Sequence, residues 1–315
     1  MPKLGEGGFG SKFGYQIDKM NESVGFEDST HTYFDLKDGG KYISVTTLLK
    51  NYEPEFQGDF WAFYKALEFF IGGIHGLAIW DDIKKTLLKT KRINRNLIEK
   101  FKIDPEEFKN KEQEILDSYK KAGEDAREKG TRIHLAKELS FYDEKTRDVA
   151  KYGIGGKVGC TRGKYILDDY AAVYPELLIS CDLDGLRICG QADFVCKCGN
   201  DIYILDWKTS KKIEKTSFFD RNTGKNEKLK FPLNNIMASN YWIYSLQLSI
   251  YMFLLQQEHP EFVCKKLAIV QIDDDMNETV YECEYLKDDV ERLLKHYKRS
   301  LKTKEQLDKN KPIKL

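Results

Sequence analysis

The spacing of apolar and polar positions changes period several times along the chain. THTYFDLKDGGKYISV, from Thr30, predicts a hairpin turning at Asp38-Gly39-Gly40. Phe60, Phe63, Leu67 and Phe70 then recur at intervals of three and four, the period of an amphipathic helix. Residues 76–129 read as almost wholly helical, and Ile133, Ala136 and Leu139 carry the helical pattern through Gly130–Tyr142. A glycine-rich loop over Gly153–Gly159 and a short helix near Lys164–Val173 come next. The period then becomes that of strands. PELLISCDLDGLRICGQADFVCKCGNDIYILDWKT predicts three in succession, about Leu177–Leu183, Leu186–Cys196 and Ile202–Trp207. Asp184-Gly185 and Gly199-Asn200 supply the tight turns between them. A polar insertion over 210–235 and an apolar helix over Ile236–Gln257 follow. The strand pair Lys266–Ile272 and Thr279–Glu284 and a charged helix from Lys287 complete the order. This succession predicts an α/β fold. A loose Gly-rich tail is expected over 1–22, a hairpin with a helical cap over 23–125, and a core over 126–315 that forms one compact unit with the cap.

Composition sets bounds on that picture. With 41% hydrophobic and 13% aromatic residues in 315, a sizeable core can be buried. Charged residues reach 32% but cancel to a net charge of zero, which argues against a general polyanion binder and leaves room for a local basic groove. Two runs offer such a groove. Lys84–Lys102 has eight basic residues and one acid, and Lys208–Lys230 has eight basic and three acidic. The first is equally a solvated helix face. No apolar run reaches the roughly 18 residues of a membrane span, and the N-terminus lacks an apolar signal core, so an intracellular protein is expected. The seven cysteines are odd in number and sit mostly in strand-like runs, where they read as small core residues. Gly5-Glu6-Gly7-Gly8-Phe9-Gly10 matches a kinase glycine loop, but no lysine strand, H-R-D or D-F-G follows it.

The chemistry concentrates in Asp206-Trp207-Lys208, at the end of the apolar run Ile202–Leu205. Side chains two apart on a strand share a face, so Asp206 and Lys208 project together, and the Trp207 carbonyl between them is a candidate extra metal ligand. Asp193 lies in the preceding strand, across a short turn. Two such acids repel at about 4–6 Å unless a cation or proton intervenes. Converging carboxylates suit a hard cation that polarises a phosphodiester, and a nearby lysine suits the attacking water and the developing charge. A D-x-K tripeptide alone is equally a pair of strand-end acids with a snorkelling lysine.

The ordered set is more specific. Gly190-Gln191-Ala192-Asp193, followed by a strand ending Asp206-Trp207-Lys208-Thr209, resembles the G-x-x-D and D-x-K-T signatures of PD-(D/E)XK nucleases of the RecB-like branch. Upstream, Gly130-Thr131-Arg132-Ile133-His134 resembles that family's G-x-x-x-H helix, whose histidine contributes to the metal site. Glu176 stands where the family often has another acid, with Asp182 and Asp184 as competitors. Downstream, Gln247-Leu248-Ser249-Ile250-Tyr251 resembles the Q-x-x-x-Y helix. HTYFDLKDGGKYISVTTLLKNY and NYWIYSLQLSIYMFLL are similar to phage-type and mitochondrial-genome-maintenance exonucleases of this superfamily.

The resemblance implies a mixed central sheet flanked by helices, with an N-terminal helical cap or arch. It implies catalytic Lys208, Asp206, Asp193 and Glu176, and a metal held by Asp193, Asp206, His134 and the Trp207 carbonyl. DNA contacts would come from Gln247, Tyr251, Ser44, Thr46, Thr209, Lys211 and Lys212. Magnesium is the expected ion, with manganese substituting. The four-cysteine iron–sulfur staple of some relatives is not expected, since only Cys264 and Cys283 follow the core. The implied substrate is DNA with free ends or single strands, in replication, recombination or repair, as in phage. A catalytically inactive DNA-binding or assembly protein on the same fold, or an RNA-directed nuclease, are the alternatives.

Overall fold

The computed structural model describes residues 24–27, 30, 32–72, 77–139, 172–220 and 224–309. The tail expected over 1–22, the loop over 153–159, Cys160 and the helix expected from Lys164 to residue 171 lie outside these residues. The chain divides into two compact units. One comprises Met1–Glu53, Arg132–Phe218 and Asn226–Leu315, the other Pro54–Thr131 and Phe219–Lys225.

The first unit is built on a mixed sheet. β4 (Ala172–Leu183), β5 (Leu186–Cys198) and β6 (Asp201–Lys208) run as an antiparallel meander. Its turns use Asp184 and Gly185 at φ 49 and 84, and Gly199 at φ 58. Gly185 and Gly199 carry the left-handed backbone that tight turns need and that glycine adopts without steric cost. The apolar helix α6 (Asn240–Glu258) then crosses over, so that β7 (Val263–Ile272) returns parallel to β6, and β8 (Glu278–Cys283) closes the edge antiparallel to β7. α6 is buried on all sides from Leu246 to Leu255, because it packs both on the sheet and on α7 (Lys287–Lys309). Burial of each such leucine or isoleucine contributes about 1.5–3 kcal/mol.

Two local expectations change. Ala172 and Val173 are strand, not helix end. Val173 pairs with Cys196 and is buried on the sheet, where a β-branched side chain packs well. The hairpin expected to turn at Asp38-Gly39-Gly40 also differs. β2 (Thr32–Asp35) forms its ladder with the preceding β1 (Val24–Glu27), and across the predicted turn it makes the short Phe34–Lys41 bridge, with Asp35 N–H donating to the Gly40 carbonyl at 2.8 Å and Tyr42 N–H to the Tyr33 carbonyl at 2.9 Å. The chain beyond that turn leaves the hairpin as β3 (Ile43–Ser44) and joins the main sheet parallel to β5. Its apolar residues gain more there, since Ile43 and Val45 join the main core.

The second unit is helical, made of α2 (Gly58–Gly72), α3 (Leu77–Thr90), α4 (Asn96–Lys100) and most of α5 (Pro105–Leu139), whose last residues belong to the first unit. Phe60, Phe63, Leu67, Trp80, Leu87, Ile98 and Phe108 form its core. Within the basic run, Arg95 forks onto Glu112 with two bonds of 3.1 Å, and Lys91 Nζ lies 4.2 Å over the Trp61 ring. These two cations serve the unit's own packing.

Candidate metal centre

The registers of the meander place three acids in one row. β4 pairs Pro175 with Phe194 and Leu177 with Ala192, so Glu176 faces Asp193. β5 pairs Phe194 with Leu205, and the next position in that register sets Asp193 opposite Asp206. Neither acid pair is itself part of the ladder. Instead, the Asp193 carboxylate accepts the Trp207 N–H at 2.6 Å. Alternation of faces slips by one at the same row. Ile188 and Ala192 lie in the main core but so does Val195, while on β4 Tyr174 is followed there by Leu177 and Ile179. Glu176 absorbs the slip with φ 49, a left-handed conformation that costs a non-glycine residue about 1–3 kcal/mol.

β5 carries β4 along one whole edge. On the other edge, β3 pairs at Ile188 and Cys189, and β6 only from Phe194 onward. β3 is parallel to β5 and β6 antiparallel, so their C-terminal ends point toward each other along the uncovered stretch from Gly190 to Asp193. The acid row thus sits beside a gap in the sheet. Within the first unit, the end of α5 brings His134 Nδ1 to 3.3 Å from Asp193 Oδ1.

Ligand atoms of His134, Glu176 and Asp193 all lie within 4.8 Å of one another. Opposite ligands of an octahedral magnesium lie about 4.2 Å apart, so a small contraction closes the set on one ion. The electrostatics favour such a guest. Burial, and then the charge of Asp193, push the Glu176 carboxyl up to about 9. Its buried Oε1 has no hydrogen-bond partner among the described residues. Burial disfavours the His134 imidazolium, yet its bond to Asp193 and that carboxylate's charge prevail and raise it to about 9. Asp206 is 1% exposed, and burial raises its pKa against the pull of Lys208. The Lys208 ammonium, disfavoured by burial, is held charged by Asp206 and Asp193. It pairs with Asp206 Oδ2 at 2.5 Å.

The sequence profile of the PD-(D/E)XK nuclease superfamily matches residues 78–312. The chain belongs to that superfamily. No curated protein matches its sequence. Among solved structures it is similar to SSO0001, with a TM-score of 0.23 and 21% identity over 39% of this chain; it covers 48% of that protein's length. It is also similar to a protein of Eubacterium rectale provisionally named an exonuclease, with a TM-score of 0.33, 14% identity, 84% of this chain covered and 82% of the other. Nucleases of this superfamily use divalent metals, and the oxygen-rich donor set with an orphaned buried Glu176 oxygen suits such an ion.

The remaining residues singled out from the sequence fall into three groups. Gln247 joins the row from α6, its Nε2 donating to Asp206 Oδ1 at 3.3 Å and to the Tyr251 hydroxyl at 3.1 Å. Tyr251 explains Gly190, since a Cβ there would lie 2.5 Å from Tyr251 Cε1 and 3.1 Å from Val45 Cγ2. Ser44 and Thr46 stand at the end of β3, across the sheet gap. Ser44 caps α1 (Val45–Lys50), accepting the Thr47 N–H at 3.1 Å, and its hydroxyl lies 3.2 Å from that of Thr46. Thr209, Lys211 and Lys212 follow Lys208 as the chain leaves the sheet, with both lysines exposed.

Three neighbours escaped the sequence reading. Lys208 Nζ lies 4.7 Å over the Tyr244 ring, and the Tyr244 hydroxyl lies 3.1 Å from that of Ser210. Gln271, beside Lys208 in the parallel β6–β7 register, donates to the Ser210 carbonyl at 2.7 Å. The signal for Tyr244 was its spacing of three from Gln247, one helix face. Gln271 had only its place as a polar residue in an apolar strand.

Proposed function

We propose that this nuclease hydrolyses DNA phosphodiester bonds as an exonuclease acting on ends or single strands, with magnesium as its ion and manganese able to substitute. The observation that carries the reading is the row Glu176–Asp193–Asp206 across three adjacent strands, flanked by His134 and Lys208. Asp193, Asp206, Glu176 and His134 would hold the ion, with the Trp207 carbonyl as a further oxygen at the same strand end. When bound, the ion polarises the phosphate and lowers the pKa of a coordinated water. Lys208 is kept as an ammonium by the two aspartates, so its part is to face the charge that develops on the phosphate. Gln247 and Tyr251 fix the Asp206 carboxylate and present polar tips toward the same place. Ser44 and Thr46, across the sheet gap, would take a neighbouring phosphate through their hydroxyls.

The G-x-x-D, D-x-K-T, G-x-x-x-H and Q-x-x-x-Y elements support a place in the RecB-like branch, near phage-type and mitochondrial-genome-maintenance exonucleases. On this reading residues 23–125 cap a core of 126–315, and the protein works inside the cell in DNA replication, recombination or repair. The test incubates purified protein with linear single- and double-stranded DNA, labelled at either end, and with closed circles. Each is exposed to magnesium, manganese or EDTA. Shortening from a labelled end with either metal, none in EDTA, and intact circles are expected. Intact DNA under every condition, with or without cleaved RNA controls, overturns the DNA-exonuclease reading.

A further inference from the structure

The polar insertion after Lys208 meets the start of α6 in a notch of about 440 Å³, lined by Lys211, Lys212, Glu214, Phe218, Ser239 and Asn240 among others. Ser239 stands at the N-cap of the 19-residue α6 with extended backbone (φ −118, ψ 158), yet its hydroxyl makes no cap bond. The residue is 6% exposed, and Oγ has no hydrogen-bond partner among the described residues. A buried hydroxyl left this way costs roughly 1–3 kcal/mol. The first turn of a helix carries the positive end of its dipole; here the Tyr241 N–H is already taken by the Glu214 carbonyl at 3.4 Å, so the field of the helix end and the lysines at the mouth are what remain for an anion.

Asn240 fixes the walls of the notch. Its Nδ2 donates to the Lys212 carbonyl at 2.6 Å, and its Oδ1 accepts the Glu214 N–H at 2.9 Å. Lys215 is directed elsewhere, onto the Tyr241 ring at 4.6 Å. Lys211 and Lys212 remain exposed at the mouth, and with Glu214 on the wall they leave it net positive.

We propose that this notch is a second phosphate-binding site, taking a backbone phosphate of a single strand a few nucleotides from the phosphate cleaved at the acid row. The proposal rests on the nuclease reading and extends it. From Asn240 to Gln247 is about 10 Å along the helix axis, a span that a short run of nucleotides in a single strand covers. Phe218, 59% exposed on the rim, offers a face on which an unpaired base stacks, and a duplex presents no such base.

The test measures binding of a labelled oligothymidine and of a duplex by fluorescence anisotropy, at several salt concentrations, with calcium in place of magnesium. Lys211→Ala/Lys212→Ala is expected to weaken single-strand binding about tenfold and to flatten the slope of log K against log salt by about 0.7, one phosphate contact. Phe218→Ala is expected to weaken single-strand binding with the slope unchanged and duplex binding unaffected. Ser239→Asp, which places a carboxylate where the phosphate would sit, is expected to match the double-lysine variant without lowering the melting temperature. Unchanged affinities and slopes in all three variants overturn the notch, and equal losses for duplex and single strand with Phe218→Ala overturn its strand preference. Metal-dependent cleavage by the unaltered protein alongside unchanged variants leaves the nuclease reading standing. An unaltered protein that neither binds nor cleaves any nucleic acid sinks both.

Discussion

His134 and Glu176 each hold a proton in the metal-free fold at a pH where the unfolded chain has released it. His134 moves from 6.5 to about 9 and Glu176 from 4.5 to about 9. For the histidine, the stabilisation is complete below 6.5 and is lost as pH rises through 9. For the glutamate, the unfolded chain gains by ionising above 4.5 while the folded one resists, so stability again falls as pH rises. Both signs agree over pH 6.5 to 9. Metal-free protein should therefore lose stability across that window, by up to about 1.4 kcal/mol per pH unit for each retained proton, and its melting temperature should fall with it. An added divalent ion needs those same groups deprotonated, so its stabilising effect should grow with pH. Thermal melts with and without manganese at several pH values check this.

The buried Asp206–Lys208 pair carries a second prediction at this scale. Truncating one member strands a buried charge, which costs roughly 3–5 kcal/mol, while replacing both with apolar groups is far less damaging. Asp206→Ala should thus be less stable than Asp206→Ala/Lys208→Met in urea melts, and both should be inactive. Equal stability of the two variants would mean that Lys208 gains nothing from Asp206.

At the scale of elements, the site depends on how α6 meets β5. Gly190→Ala forces a methyl group into Tyr251 and Val45. Over-packing of this kind costs about 1–3 kcal/mol. Because Tyr251 steadies Gln247, which in turn holds Asp206, activity should fall together with stability. Urea melts and end-label assays on the same samples read both. Some of this was legible in the sequence. Asp206 and Lys208 share a face because strands alternate, and the Asp184-Gly185 and Gly199-Asn200 turns fix the meander's order. The exact opposition of Asp193 and Asp206 was not legible, since it depends on register. Nor was the face slip at Glu176, where a residue with no intrinsic liking for positive φ is held there by its neighbours. Ile43–Ser44 read as a hairpin arm because a strand pattern does not say which partner it pairs with. Tyr244 and Gln271 are single polar positions in apolar runs, whose role appears only when β6, β7 and α6 come together.

At the scale of the whole molecule, the proposed function requires a chain with no net charge to bind its polyanion through local features alone. The sheet gap between β3 and β6, the acid row beside it and the lysines after Lys208 are such features, all within one compact unit. No described helix is long and apolar enough to cross a membrane. The most direct test is the anomalous scattering of crystals soaked in manganese. A peak within bonding distance of the carboxylates of Glu176 and Asp193 and the His134 ring, with Asp206 alongside, is the predicted result. Fully ordered side chains in that row with manganese bound only elsewhere, or not at all, would contradict the account.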